Sequence, residues 1–185
     1  MPRDRRILDA AAAAFHEKGF HGVGMDELGT RAGLSGPSLY RYFAGKDEIL
    51  ARLLDEAMDE LLAATVPVDS DPMADLVRAL RHHVQFTIAN RHLVTIHQRE
   101  ERALVDPWAT AFVRRRRQYT RAWESLVAHA LPDLDDTGVA TTTQGCLGLV
   151  FSVATWPERT LAAPDVADRI LDLVLHGITG AGSPA

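Results

Sequence analysis

Residues 19–50 read GFHGVGMDELGTRAGLSGPSLYRYFAGKDEIL, two short helical segments punctuated by glycine. Met25 to Ala32 carries Leu28 toward an interior and ends at Gly33. Ser35-Gly36-Pro37 then opens a further helix, because serine caps well and proline costs nothing in a first turn; it runs through Leu39 to about Tyr42. Two short helices about a glycine-containing turn describe a helix-turn-helix, whose second helix fits the major groove of DNA. Leu28, Ala32, Leu34, Leu39 and Phe43 supply the small core that fixes the angle between them. Gly36, Pro37, Ser38, Tyr40, Arg41 and Tyr42 are left outside. Small residues bring the backbone close to base edges, and Ser, Tyr and Arg carry donors for phosphates and bases. Lys46 stands at the start of the next helix, where a cation opposes the helix dipole. A DNA phosphate shared with the free N–H groups there accounts for it. The alternative is a lysine pointing into water, with Tyr40 and Tyr42 partly in the core.

Outward from this stretch the pattern stays helical. Ile7, Leu8, Ala11 and Phe15 recur at helical spacing and stop at Gly19. After Gly45, Ile49, Leu50, Leu53, Leu54, Ala57 and Leu61 mark a longer amphipathic helix. Residues 65–72, TVPVDSDP, form a polar, proline-bounded linker. Helices are expected over about 73–90, 93–104, 107–131, 138–155 and 164–179, with a turn at 132–137 and a frayed tail from Gly180 to Ala185. The fold class is all-α: a three-helix helix-turn-helix head over residues 1–47 and a helical bundle over 48–185, about nine helices in all.

The head resembles the TetR (tetracycline-repressor) family. The matching residues are Ala32-Gly33-Leu34-Ser35, Leu39-Tyr40, Tyr42-Phe43, Lys46 and Ile49, with the Ile7–Phe15 helix and Gly19-Phe20 in their expected places. The resemblance implies that Ser35, Pro37, Ser38, Tyr40, Arg41, Tyr42 and Lys46 lie at the DNA surface, with Tyr40 and Lys46 on phosphates. It also implies that the chain from about residue 50 onward binds an effector and dimerises. In one respect the sequence departs from the family: Val23-Gly24 precedes the second helix, where Ser or Thr is frequent, so that helix has a weaker cap.

Charge permits DNA binding without demanding it. Residues 1–50 hold seven basic and seven acidic side chains, so the net charge of −5 falls on residues 51–185. No apolar run is long enough to span a membrane, the basic start leads into an amphipathic segment with Asp9 and Glu17, and the one cysteine, Cys146, has no internal partner. A cytoplasmic protein is the expectation.

The later helices are apolar over much of their surface. Gly145, Gly148 and Ser152 form a small-residue stripe, and Ile170, Val174 and Ile178 lie on the last helix. These six are the expected homodimer interface, a four-helix contact between two copies. Candidate effector-pocket residues are Val84, Thr87, His97, Glu100, Trp108, Phe112, Trp123 and Phe151, each of which also reads as ordinary core. Arg114, Arg117 and Arg121 share a helix face, suited either to the phosphates of a CoA-type ligand or to a solvated surface paired with acids such as Glu100 or Glu124. His82 and His83 point to different faces, and His92 and His97 are five apart, so no metal site is expected. No nucleophile–base pair, phosphate loop or paired-carboxylate signature appears; neither a cofactor nor enzymatic activity is expected. The expected partners are palindromic double-stranded DNA, a second copy of the chain and a small-molecule effector, with repression as the outcome. The alternative is a small-molecule binding protein of the same fold without specific DNA recognition.

Overall fold

The computed structural model describes residues 3–100 and 103–180. The expected frayed tail from 181 onward lies outside them. Ten α-helices follow one another: α1 (Arg3–Lys18), α2 (Met25–Arg31), α3 (Gly36–Leu39), α4 (Lys46–Ala64), α5 (Pro72–Ala89), α6 (Arg91–Glu100), α7 (Trp108–Ala130), α8 (Asp136–Ser152), α9 (Glu158–Leu161) and α10 (Val166–Gly180). A 3-10 turn, Val153–Thr155, follows α8, and no strand occurs among the described residues. The tenth helix, beyond the nine expected, is α9, a single turn between Pro157 and Ala162 too short to show a period. The third helix is shorter than expected, but its turn continues, with Tyr42 and Phe43 donating to the Leu39 carbonyl at 2.9 and 3.2 Å.

By packing, the chain divides into two compact units elsewhere than between residues 47 and 48. One holds residues 1–58 and 92–115, the other 59–91 and 116–185. Residues 92–100 of α6 fall in the first of these units.

In the first unit α2 packs against both α1 and α3. Ile7, Leu8, Ala11, Phe15, Leu28, Leu39, Ile49 and Leu50 are fully enclosed, each large side chain contributing about 1.5–3 kcal/mol. Phe20 is where the parts are tied. Its N–H donates to Glu100 Oε1 at the end of α6, at 3.2 Å. Its carbonyl accepts from Lys46 Nζ at 3.1 Å, which also donates to the Val23 carbonyl at 3.2 Å. The Lys46 ammonium lies 4.5 Å from the centre of the Phe20 ring. One residue of the α1–α2 turn thereby holds the start of α4 and the end of α6.

In the second unit α5 packs on α8, α10 and the 3-10 turn. Val84, Val150, Val153, Val166 and Ile170 form its apolar centre. The Arg91 guanidinium satisfies the carbonyls of Ala154 and Trp156 at 3.2 and 2.7 Å where α8 ends. Asp71 and Asp135 cap α5 and α8 by accepting from Met73 and Gly138. The unit also buries a polar pair: Tyr119 Oη and His83 Nδ1 are 2.8 Å apart, ringed by Trp123 and Phe151. Burial pushes the His83 imidazole down to about 3 and raises the Tyr119 phenol, so both are neutral near pH 7.

Two outcomes follow from these contacts. The unfolded chain takes up a proton at an ordinary histidine below pH 6.5, while folded His83 refuses it down to about pH 3. Stability is therefore full above pH 6.5 and falls by about 1.4 kcal/mol per pH unit below it. Thermal melts between pH 6.5 and 4.5 should show that slope reduced by about this amount in His83→Asn, which keeps a neutral partner for Tyr119; an unchanged slope removes His83 as its source. Lys46→Met keeps the aliphatic stem but loses both carbonyl contacts, and should lower unfolding stability by roughly 1–3 kcal/mol in denaturant titration.

Candidate nucleic-acid interface

The turn between α2 and α3 depends on Gly33, whose φ of +70° suits glycine. Ser35 caps α3, its Oγ accepting from the Ser38 N–H at 3.3 Å and meeting Ser38 Oγ at 2.8 Å. A Cβ at Gly36 would meet the Asp26 carboxylate, which lies beside the start of α3. Tyr40 is 55% exposed, Arg41 is exposed beside it, and Leu39 between α2 and α3 is fully buried.

Of the seven residues expected at the DNA surface, Ser35, Pro37, Tyr40 and Arg41 are exposed, and Ser38, Tyr42 and Lys46 are half-buried. Tyr42 accepts from Arg3 Nη1 at 3.3 Å. Two of the three N–H groups of Lys46 serve the α1–α2 turn. Gly24 begins α2 with no side-chain cap, in line with the departure noted there.

The other basic residues of the head are also engaged. Arg5 pairs with Asp9 and Glu56 at 2.9 and 3.3 Å, Lys18 with Glu27 at 2.7 Å, and Arg31 with Glu17 and Glu27 at 2.8 and 3.0 Å. Hydrogen bonds from Arg31 chiefly hold the Glu17 carboxyl below its usual range, and those from Lys18 do the same for Glu27. Arg6 donates to the Ala32 carbonyl at 2.8 Å, tying α1 to the end of α2. Among the described residues of the head, Arg41 is the basic side chain with no partner in the chain.

The expected pocket residues are divided between the two units. Val84, Thr87, Trp123 and Phe151 belong to the second unit; His97, Glu100, Trp108 and Phe112 belong to the first. Val84 is packed in the valine–isoleucine centre, His97 lies against Phe112 with ring centres 5.4 Å apart, and Glu100 is bound to Phe20. His83 and Tyr119 were not among the candidates, although spacings of four, His83–Thr87 and Tyr119–Trp123, carried the signal. Arg114, Arg117 and Arg121 are exposed, while Arg115 is within 3.7 Å of Asp55.

The expected dimer surface needs one correction. Ile170 is 1% exposed and lies in the centre of the second unit, because α10 turns that face onto α5 and α8. Val174 is also buried from solvent, yet with Gly145 and Ile178 it lines a shallow groove of about 240 Å³ between α8 and α10. Gly148 and Ser152 are exposed, space is open above Gly145, Gly148 and Gly177, and Leu173 is 62% exposed at the groove. Among the described residues no helix is long and apolar enough to cross a membrane.

Residues 7–53 match the family model for bacterial regulatory proteins, tetR family, and residues 69–178 that for the tetracyclin repressor-like C-terminal domain. The chain is 41% identical over 66 residues to the HTH-type transcriptional activator FasR of Mycolicibacterium smegmatis, 34% of this chain and 30% of FasR. It is 27% identical over 208 residues to the HTH-type transcriptional repressor KstR2 of Mycobacterium tuberculosis, 97% of this chain and 94% of that protein. The fold is shared with the solved ketosteroid transcriptional regulator KstR2 of Mycobacterium tuberculosis (TM-score 0.81, 23% identity, 100% of this chain and 96% of that one). It is shared also with AibR solved in complex with isovaleryl coenzyme A and operator DNA (TM-score 0.80, 19% identity, 95% and 97%). With both family models matched in order along the same chain, this protein belongs to the TetR family of bacterial regulatory proteins.

Proposed function

We propose that the chain is a transcriptional repressor that binds a palindromic operator as a homodimer and is released by a small hydrophobic or acyl-CoA-like effector. The observation that carries the reading is Arg41: the head neutralises its other cations internally and leaves this one exposed beside Tyr40, at the open end of a capped recognition turn. An unpaired, exposed arginine at that place is set to meet phosphate or the edge of a guanine. Ser35 and Pro37 present a small, close-fitting surface next to it.

Dimerisation is supported by the α8–α10 groove, where exposed Leu173 and open space at Gly145 and Gly177 leave room for the same helices of a second copy. Two heads related by a twofold axis read two half-sites about one helical turn apart. An effector lowers operator affinity only to the extent that it favours one spacing of the heads over another. The AibR structure, holding isovaleryl coenzyme A and operator DNA, supports a ligand of this class. The exposed Arg117 and Arg121 on α7 supply positive surface for its phosphates.

The balanced charge of the head favours a second reading, a ligand-binding protein that no longer recognises DNA. Selection from random duplex DNA at physiological salt separates the two. Recovery of one palindrome establishes the regulator; recovery of no site by ligand-free protein establishes the binding protein. On the selected site Arg41→Ala should cost about 1–3 kcal/mol of affinity, with a shallower salt dependence if the contact is to phosphate; wild-type affinity shifts the contact surface elsewhere. Leu173→Glu should convert the dimer to a monomer in analytical ultracentrifugation without lowering helix content, and an unchanged sedimentation coefficient places the interface on another face.

A further inference from the structure

Asp26, the second residue of α2, carries an exposed carboxylate that the described residues leave without a hydrogen bond or ion pair. Its neighbours in the head are taken up differently: Glu27 meets Lys18 and Arg31, and Glu17 meets Arg31. Thr30 reaches Asp26 only at its backbone, the hydroxyl donating to the carbonyl at 2.9 Å. An acid in a first helical turn suits the helix dipole, as Glu27 does equally. The dipole does not explain where the carboxylate of Asp26 lies. It rests against Gly36, the first residue of α3, on the side where another residue would carry its Cβ. The two helices approach closely there because Gly29 lacks a side chain: a Cβ on it would come within 3.2 Å of the Gly36 nitrogen and the Leu34 carbonyl oxygen.

A recognition helix enters the major groove by its N-terminal residues, which meet base edges. An acid beside that start is carried to the same edges, where phosphate repels it and only a donor can satisfy it, since an ionised carboxylate accepts and never donates. The four bases differ sharply in what they offer. Guanine presents two acceptors, thymine an acceptor and a methyl group, and adenine an acceptor next to its amino group. Cytosine presents the amino group alone.

We infer that Asp26 is a specificity-determining residue, accepting a hydrogen bond from N4 of one cytosine in each operator half-site, and that Gly36 leaves its carboxylate the room to do so. The inference rests on the reading of the head as operator-binding. It gives the unpaired acid a use that is chemical and directional: the same group that selects one base repels the phosphates of every other sequence.

Selection from random duplex DNA with the full chain at physiological salt tests this, run side by side for the parent, Asp26→Asn, Asp26→Ala and Gly36→Ala. The parent should recover a palindrome with a cytosine at one fixed place in each half-site. Asp26→Asn should exchange that cytosine for adenine, because an amide pairs with N6 and N7 of adenine; a merely structural role for Asp26 produces no such exchange. Asp26→Ala should lose its preference for cytosine there by about tenfold, and should bind mixed-sequence DNA more tightly than the parent. Gly36→Ala displaces the end of the Asp26 side chain and should loosen the same position, with helix content and melting temperature near those of the parent. Retention of the cytosine by both Asp26 variants overturns the inference, as does a parent site whose Asp26-sensitive position is not cytosine. A parent that selects one palindrome indifferent to Asp26 keeps the operator reading and loses this residue's role. A ligand-free parent that selects no site loses both.

Discussion

The head of this protein depends on how the backbone of Phe20 is satisfied. The turn from α1 to α2 exposes N–H and carbonyl groups that neither helix uses, and a buried backbone group without a partner costs as much as a lost hydrogen bond. Glu100 supplies the acceptor and Lys46 the donor, with the aromatic ring under the ammonium as a third contact. Because the two side chains come from α6 and α4, satisfying one peptide also fixes where three helices meet within the unit. The recognition turn needs such bracing. It has four helical residues and a capping serine, too little to hold a shape by itself.

The same economy governs charge. The first fifty residues hold seven cations and seven carboxylates; Arg5, Lys18 and Arg31 pair with carboxylates and Arg6 and Lys46 with backbone carbonyls, and the exposed pairs add little stability individually. Their consequence is for the external field. A head whose cations are mostly neutralised at short range attracts DNA weakly through the sequence-independent, salt-dependent route. On the proposed operator reading, affinity comes from contacts made close to the groove, where Tyr40 and Arg41 are exposed, the kind that distinguish one sequence from another. The neutrality that seemed to argue against DNA in the composition is thus compatible with selective binding.

Helix positions and the helix-turn-helix were legible because they are local: periodicity, a capping serine, a proline in a first turn and Gly33 in the turn all act within a few residues. What was not legible is pairing between distant segments. The helix-dipole argument marked Lys46 as needing a reason and offered a DNA phosphate; the carbonyls it meets within the chain lie 26 and 23 residues earlier. Periodicity showed that α10 has an apolar face without showing that Ile170 turns inward while Leu173 faces out. Glu100 was read as a pocket acid because nothing in its neighbourhood announces an N–H 80 residues away. His83 was weighed only as a metal ligand, and its partner Tyr119 lies 36 residues on.

The His83–Tyr119 pair also explains a tension in the second unit. An apolar replacement of both would pack at least as well, since neutral buried hydrogen bonds contribute only about 1 kcal/mol and desolvation takes much of it back. Polar groups in such a core specify something, and here they share an interior with an unmatched threonine hydroxyl.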